Sequence, residues 1–223
     1  MISRLCLDLF LVIVSFQGAN ILVFTPTGSH SHQNTYRPIF RELFRRGHNI
    51  TYVTSLLDSN APYHQIVVKD ALEDFTAKFD VFEIRNFGLI ANLIMYLRSL
   101  DWASTYLSDP RIQELIMSKD QHFDLVALES SLFQEVNANS GHKFQAPTVE
   151  LLAVPPSFWF LHVTGNPYSF SCTTSSLSKS TGRMNFMERL KNTFVGMTNI
   201  LFTKYFMMPK HSSGILVGRT DPL

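Results

Sequence analysis

The chain has 223 residues, 45% of them hydrophobic and 17% charged, with a formal net charge of +1. That composition can bury a sizeable core, which excludes a disordered chain. The near-neutral balance leaves nucleic-acid binding without an electrostatic footprint. Two cysteines, Cys6 and Cys172, do not make a disulfide framework.

The N-terminus reads as a secretory signal over residues 1–19. Arg4 supplies a positive start, Leu9 to Val14 an apolar core, and Gln17-Gly18-Ala19 small residues for cleavage. The alternative is a buried segment from Leu5 to Val14. No later stretch reaches the roughly eighteen consecutive apolar residues of a membrane span.

Asn20 to Thr25 is a short apolar run ending at Pro26, suited to a strand buried on both faces. Tyr36, Ile39, Phe40, Leu43 and Phe44 then recur at helical spacing and predict one apolar face. Ser31 or Asn34 can cap this helix, Pro38 suits its first turn, and Arg45, Arg46 and Gly47 suit its end. Asn49 to Thr54 is β-branched and short, a second strand. Strand, helix and strand within about 35 residues make a βαβ unit with parallel strands.

Phe79 to Ile84 predicts a third strand, and Leu89 to Leu107 a helix stopped by Asp109-Pro110. A short helix from Arg111 to Met117 precedes a buried strand, Phe123 to Leu128, which ends in Glu129. Ser130 and Ser131 start another helix, and Pro147 to Ala153 is the next strand. Val154 to Gly182 reads as irregular, and Met184 to Phe206 as helical. The alternation predicts one doubly wound, mainly parallel α/β domain of the Rossmann kind.

Ligands in such folds sit at the C-terminal edge of the sheet. The first strand leads into Thr27-Gly28-Ser29-His30-Ser31-His32, and a later strand ends in Glu129. A carboxylate on one imidazole nitrogen fixes the tautomer that lets the other act as a base near neutral pH. Spacing alone leaves two readings open: a catalytic pair, or polar residues in exposed turns. His30 and His32 lack a third ligand at metal-site spacing, so no metal is expected. Gly28 alone is no dinucleotide fingerprint, and Ser131 lies outside any nucleophile elbow. Phe158-Trp159-Phe160 reads either as core packing or as the wall of an apolar pocket. Asn49-Ile50-Thr51 matches a glycosylation sequon.

Together these pieces resemble the N-terminal half of the UDP-glucuronosyltransferase and UDP-glycosyltransferase family, most closely its insect members. The resemblance rests on Ala19 to Phe24 with Ser31-His32-Gln33 and Arg37-Pro38, and on Arg46-Gly47-His48-Asn49-Ile50-Thr51. It continues through Phe123-Asp124-Leu125-Val126 and Glu129, Gly141-His142-Lys143-Phe144, Ala146-Pro147, Thr164-Gly165-Asn166-Pro167 and Arg183 to Thr193. No single motif is specific, but their order spans nearly the whole chain.

The resemblance implies the acceptor-binding domain of a two-domain glycosyltransferase of the GT-B type, over residues 20–210. His32 matches the family's base, which takes the proton of an acceptor hydroxyl while the sugar transfers from UDP with inversion. Glu129 stands where the family commonly has Asp, one methylene shorter. Phe158, Trp159 and Phe160 would contact a small lipophilic acceptor. UDP-sugar would be a co-substrate, with no cofactor and no metal. Residence in the endoplasmic reticulum lumen, or on its lumenal membrane face, is implied too. Residues 211–223 depart from the pattern, and the donor-sugar domain and membrane span are expected to be missing. Ser169 to Thr181 replaces a Pro-rich acceptor segment. This polypeptide alone is therefore expected to be inactive. The alternative is a non-catalytic regulatory or lipophilic-ligand-binding protein that forms homo- or hetero-oligomers with full-length relatives.

Overall fold

The computed structural model describes residues 18–26, 29–68, 103, 105–129, 139–153, 155–174 and 183–207. Five strands form one parallel sheet: β1 (Asn20–Thr25), β2 (Asn49–Thr54), β3 (His64–Val67), β4 (Leu125–Leu128) and β5 (Thr148–Glu150). Their order is β3-β2-β1-β4-β5. This is an α/β, Rossmann-like sheet, as the alternating pattern predicts. The order reverses between β1 and β4, and the crevice beyond those two strands is the general ligand position of such folds.

The strand patterns explain the burial. β1 contributes Leu22 and Phe24 to one apolar cluster and Ile21 and Val23 to the other, because successive side chains point to opposite faces. The first cluster adds Val53, Tyr106, Ile112, Val126 and Phe144; the second adds Tyr36, Phe40, Tyr52 and Ala127. Each fully buried large side chain, such as Phe40 at 1% exposure, contributes about 1.5–3 kcal/mol relative to exposure.

Helix α1 (His30–Arg45) carries the turn residues. It differs from the sequence expectation at its start and on its face. Ser29, not Ser31 or Asn34, takes the N-cap position, with extended backbone and no side-chain cap bond. Pro38 lies inside the helix rather than in its first turn. It is exposed, so solvent can serve the Asn34 carbonyl that loses its helical partner. The buried face runs through His32, Gln33, Tyr36 and Phe40, with Leu43 partly buried, while Ile39 and Phe44 are exposed. The helix is thus rotated about its axis, and polar residues of its first turn lie against the sheet. Gly47 ends it at φ 92°, a left-handed conformation that costs glycine little, and its N–H bonds the Phe44 carbonyl at 2.9 Å.

In the second half of the chain the helix after Pro110, the strand ending at Leu128, the strand after Pro147 and the last helix form with shifted ends, whereas a helix replaces the turn expected around Gly141. Helix α2 (Pro110–Met117) has proline at its start, where no N–H is needed, and Asp109 accepts from the Arg111 N–H as its cap. Helix α3 (Asn139–Phe144) precedes β5. A short helix α4 (Phe158–Val163) forms where the sequence reads as irregular, because the Ser157 side chain accepts from the Phe160 N–H and opens it. Helix α5 (Phe186–Phe202) starts at a capping box of Asn185 and Glu188 and passes into a π-helical turn, Thr203–Met207.

β3 is an addition to the predicted set. The strand expected at Phe79 to Ile84, most of the helix from Leu89 to Leu107, the helix start at Ser130-Ser131, and nearly all of the leader segment lie outside the described residues. No helix among the described residues is long and apolar enough to cross a membrane.

Candidate active site

Parallel pairing of β1 with β4 sets Phe24 beside Leu128, and the Glu129 N–H extends the ladder to the Phe24 carbonyl at 3.3 Å. Glu129 is therefore the first residue past β4, at the edge where α1 begins. His32 sits in the first turn of α1. Its Nδ1 lies 2.5 Å from Glu129 Oε1, and the two residues are 8% and 4% exposed. An ionised carboxylate only accepts, so in this pair the Nδ1 carries the hydrogen and Nε2 is the nitrogen that can take a proton.

A third side chain completes the arrangement. The Tyr36 hydroxyl, one helical turn beyond His32, donates to the same Glu129 Oε1 at 3.1 Å. The Ala153 backbone, just past β5, hydrogen-bonds that hydroxyl in turn. Burial first, and then the negative charge of Glu129, push the Tyr36 phenol well above its ordinary value. It stays a neutral donor at any working pH. Sequence reading counted Tyr36 only as part of an apolar face. The signal that could have found it is the i, i+4 spacing from His32, which puts a hydroxyl and an imidazole over one carboxylate.

Buried polar groups hold α1 in place. Gln33 is fully buried and accepts from Arg37 Nη2 at 3.0 Å; the same nitrogen bonds the Leu56 carbonyl at 3.0 Å. Arg41 bonds the buried Asp58 at 2.6 Å, and Arg37 Nε lies 3.7 Å from the same carboxylate. These contacts tie the helix to the segment between β2 and β3, so the His32 backbone has little freedom.

The other predicted residues lie elsewhere. His30, the first residue of α1, is exposed. Among the described residues no cluster of three or more metal-ligating side chains occurs. Phe158 and Trp159 are buried in a separate cluster with Ile200, against which Tyr168 and Phe170 pack; Phe160 is half-buried. Asn49 is exposed at the start of β2, with its side-chain amide bonded to Asn20. Cys172 is an exposed thiol.

No family model matches the chain. Two curated proteins of Dactylopius coccus do. UDP-glycosyltransferase UGT4 is 33% identical over 178 residues, covering 78% of this chain and 35% of the relative. UDP-glucosyltransferase 2 is 30% identical over 195 residues, covering 85% and 37%. The chain belongs to the UDP-glycosyltransferase family. An ecdysteroid UDP-glucosyltransferase of Lacanobia oleracea granulosis virus is a more distant relative, 24% identical over 149 residues. The UDP-glycosyltransferase-like chain spans about a third of the length of the curated relatives it matches, 35% and 37% for the first two.

Proposed function

We propose that the site carries the base and the acceptor side of glycosyl transfer from a UDP-sugar to a hydroxyl of a small lipophilic molecule. The contact of His32 with Glu129 at the β1–β4 crevice carries this reading. His32 Nε2 takes the acceptor's hydroxyl proton. The freed oxygen forms a bond to the anomeric carbon as the bond from that carbon to the UDP oxygen breaks, so configuration inverts and UDP leaves with the electron pair. Glu129 stabilises the imidazolium formed at His32. No side chain of this set requires a metal for that step.

Of the three aromatics expected to contact a lipophilic acceptor, Phe160 is the half-buried one, with surface to offer it, whereas Phe158 and Trp159 are buried in their own cluster. In this reading the chain is the acceptor half of a two-domain enzyme, and the UDP-sugar belongs to a second domain. The relatives' printed names, two of them glucosyltransferases, make UDP-glucose the first donor to try.

The test joins the chain to the remaining C-terminal region of UDP-glycosyltransferase UGT4 and follows radiolabelled sugar from UDP-glucose to 4-nitrophenol and related phenols. Transfer that disappears in His32→Ala supports the reading. Transfer undiminished in His32→Ala overturns it.

A further inference from the structure

We infer that Tyr36 is a positioning residue for the base, holding the Glu129 carboxylate against His32 through its hydroxyl. The inference rests on the assignment of His32 as base and adds a part that the resemblance does not supply.

The geometry argues it in three steps. First, glutamate has one more rotatable bond than aspartate, so a carboxylate at the end of Glu129 needs more to hold it on one nitrogen. Second, a single oxygen, Oε1, receives both helix-borne groups: His32 Nδ1 at 2.5 Å and Tyr36 hydroxyl at 3.1 Å. Because residues 32 and 36 share one face of α1, the helix fixes the distance between those two donors, and the carboxylate must sit where both reach it. Third, Tyr36 itself cannot drift. It is 3% exposed, packs on Phe40 with ring centroids 6.5 Å apart, and its hydroxyl is bonded by the Ala153 backbone beyond β5. Residues that follow three adjacent strands, β1, β4 and β5, thus meet on one phenol and one carboxylate.

A packing role for the ring would not require the hydroxyl at all, and that separates the two accounts. On the full chain, the Nδ1–H of His32 is followed by its downfield NMR signal, assigned by its loss in His32→Gln. Tyr36→Phe keeps the ring and removes the donor, so the carboxylate leaves Nδ1 more of the time. The Nδ1–H signal then moves upfield and exchanges faster with solvent, and Tyr36→Phe has no further effect in a Glu129→Gln background. A signal that is unmoved, or that moves downfield, overturns the inference. If Tyr36→Phe does not fold, fluorotyrosine at position 36 keeps ring and hydroxyl and makes the phenol a stronger donor; an unmoved His32 Nδ1–H signal again overturns it.

Transfer by the fused protein provides the separate check. Tyr36→Phe lowers kcat about tenfold, with KM within about twofold. Undiminished transfer in His32→Gln overturns the base assignment, whereas loss in His32→Gln beside wild-type kcat in Tyr36→Phe overturns the positioning role alone.

Discussion

His32 and Glu129 are 97 positions apart in sequence, and parallel pairing of β1 with β4 brings Nδ1 and Oε1 to 2.5 Å. Both side chains are buried, so neither behaves as a polar residue in an exposed turn. His30, two positions earlier, is exposed. In the fused enzyme His32→Ala is expected to lower kcat/KM by about 10²–10⁴-fold, the usual worth of a general base. His30→Ala is expected to stay within about threefold, since it removes no contact to the carboxylate. Steady-state kinetics on both variants checks the pair, and equal losses would disprove the selection of His32.

Substitutions at Glu129 separate charge from reach. Glu129→Gln keeps the shape and an oxygen acceptor but removes the charge that stabilises an imidazolium. It should fold like the parent and lose about 10²-fold in kcat. Glu129→Ala leaves the His32 N–H and the Tyr36 hydroxyl without their buried acceptor, which costs about 1–3 kcal/mol of stability for each group left unpaired. Urea unfolding of the two variants beside the parent measures the difference. Equal stability of Glu129→Ala and Glu129→Gln would show that the carboxylate does not hold these donors.

The sheet was legible where the sequence signals were redundant. Asn20 to Thr25 and Asn49 to Thr54 are apolar or β-branched runs bounded by Pro26 and Gly47, and both strands match residue for residue. β3 was not legible. His64-Gln65-Ile66-Val67 has only two apolar residues and owes its pairing to the register against Thr51–Thr54 at the sheet edge. A tertiary partner made that strand, not local preference. The same holds for the site. The two chemical side chains could be named from strand ends, but Tyr36 looked apolar because its ring is packed and the partner of its hydroxyl, Glu129, is 93 positions away in sequence. The short helix α4 was hidden because one serine cap, rather than a run of helix formers, starts it.

Helix α5 is pressed against the segment after α4 at a glycine. A Cβ added at Gly196 would stand 2.5 Å from the Phe170 ring and 2.9 Å from Phe158. Gly196→Ala gains helix propensity but forces those rings apart, a net destabilisation of about 1–3 kcal/mol. Thermal unfolding should show it directly. Phe170→Ala in the same background should recover part of the loss by making room, and simple additivity of the two changes would refute the close approach.

Alkaline pH should weaken the fold through its buried phenols. Burial, followed by the nearby charge of Asp58, pushes Tyr63 up to about 12, and burial raises Tyr52 as well. Together with Tyr36 that makes three of the seven tyrosines. An unfolded tyrosine ionises near 10. Below that pH the phenols are neutral in both states and contribute their full stability. Above it the unfolded chain releases protons that the native chain retains, so stability falls as pH rises from about 10 toward 12. For Tyr63 alone the loss across that window is about 2 kcal/mol. Its hydroxyl is buried with no hydrogen-bond partner among the described residues. Tyr63→Phe should therefore cost little at pH 7 and should flatten the alkaline decline. Urea unfolding at pH 7, 9 and 10.5, with tyrosinate absorbance at 295 nm, measures both effects. An unchanged alkaline slope in Tyr63→Phe would place the loss on Tyr36 and Tyr52 instead.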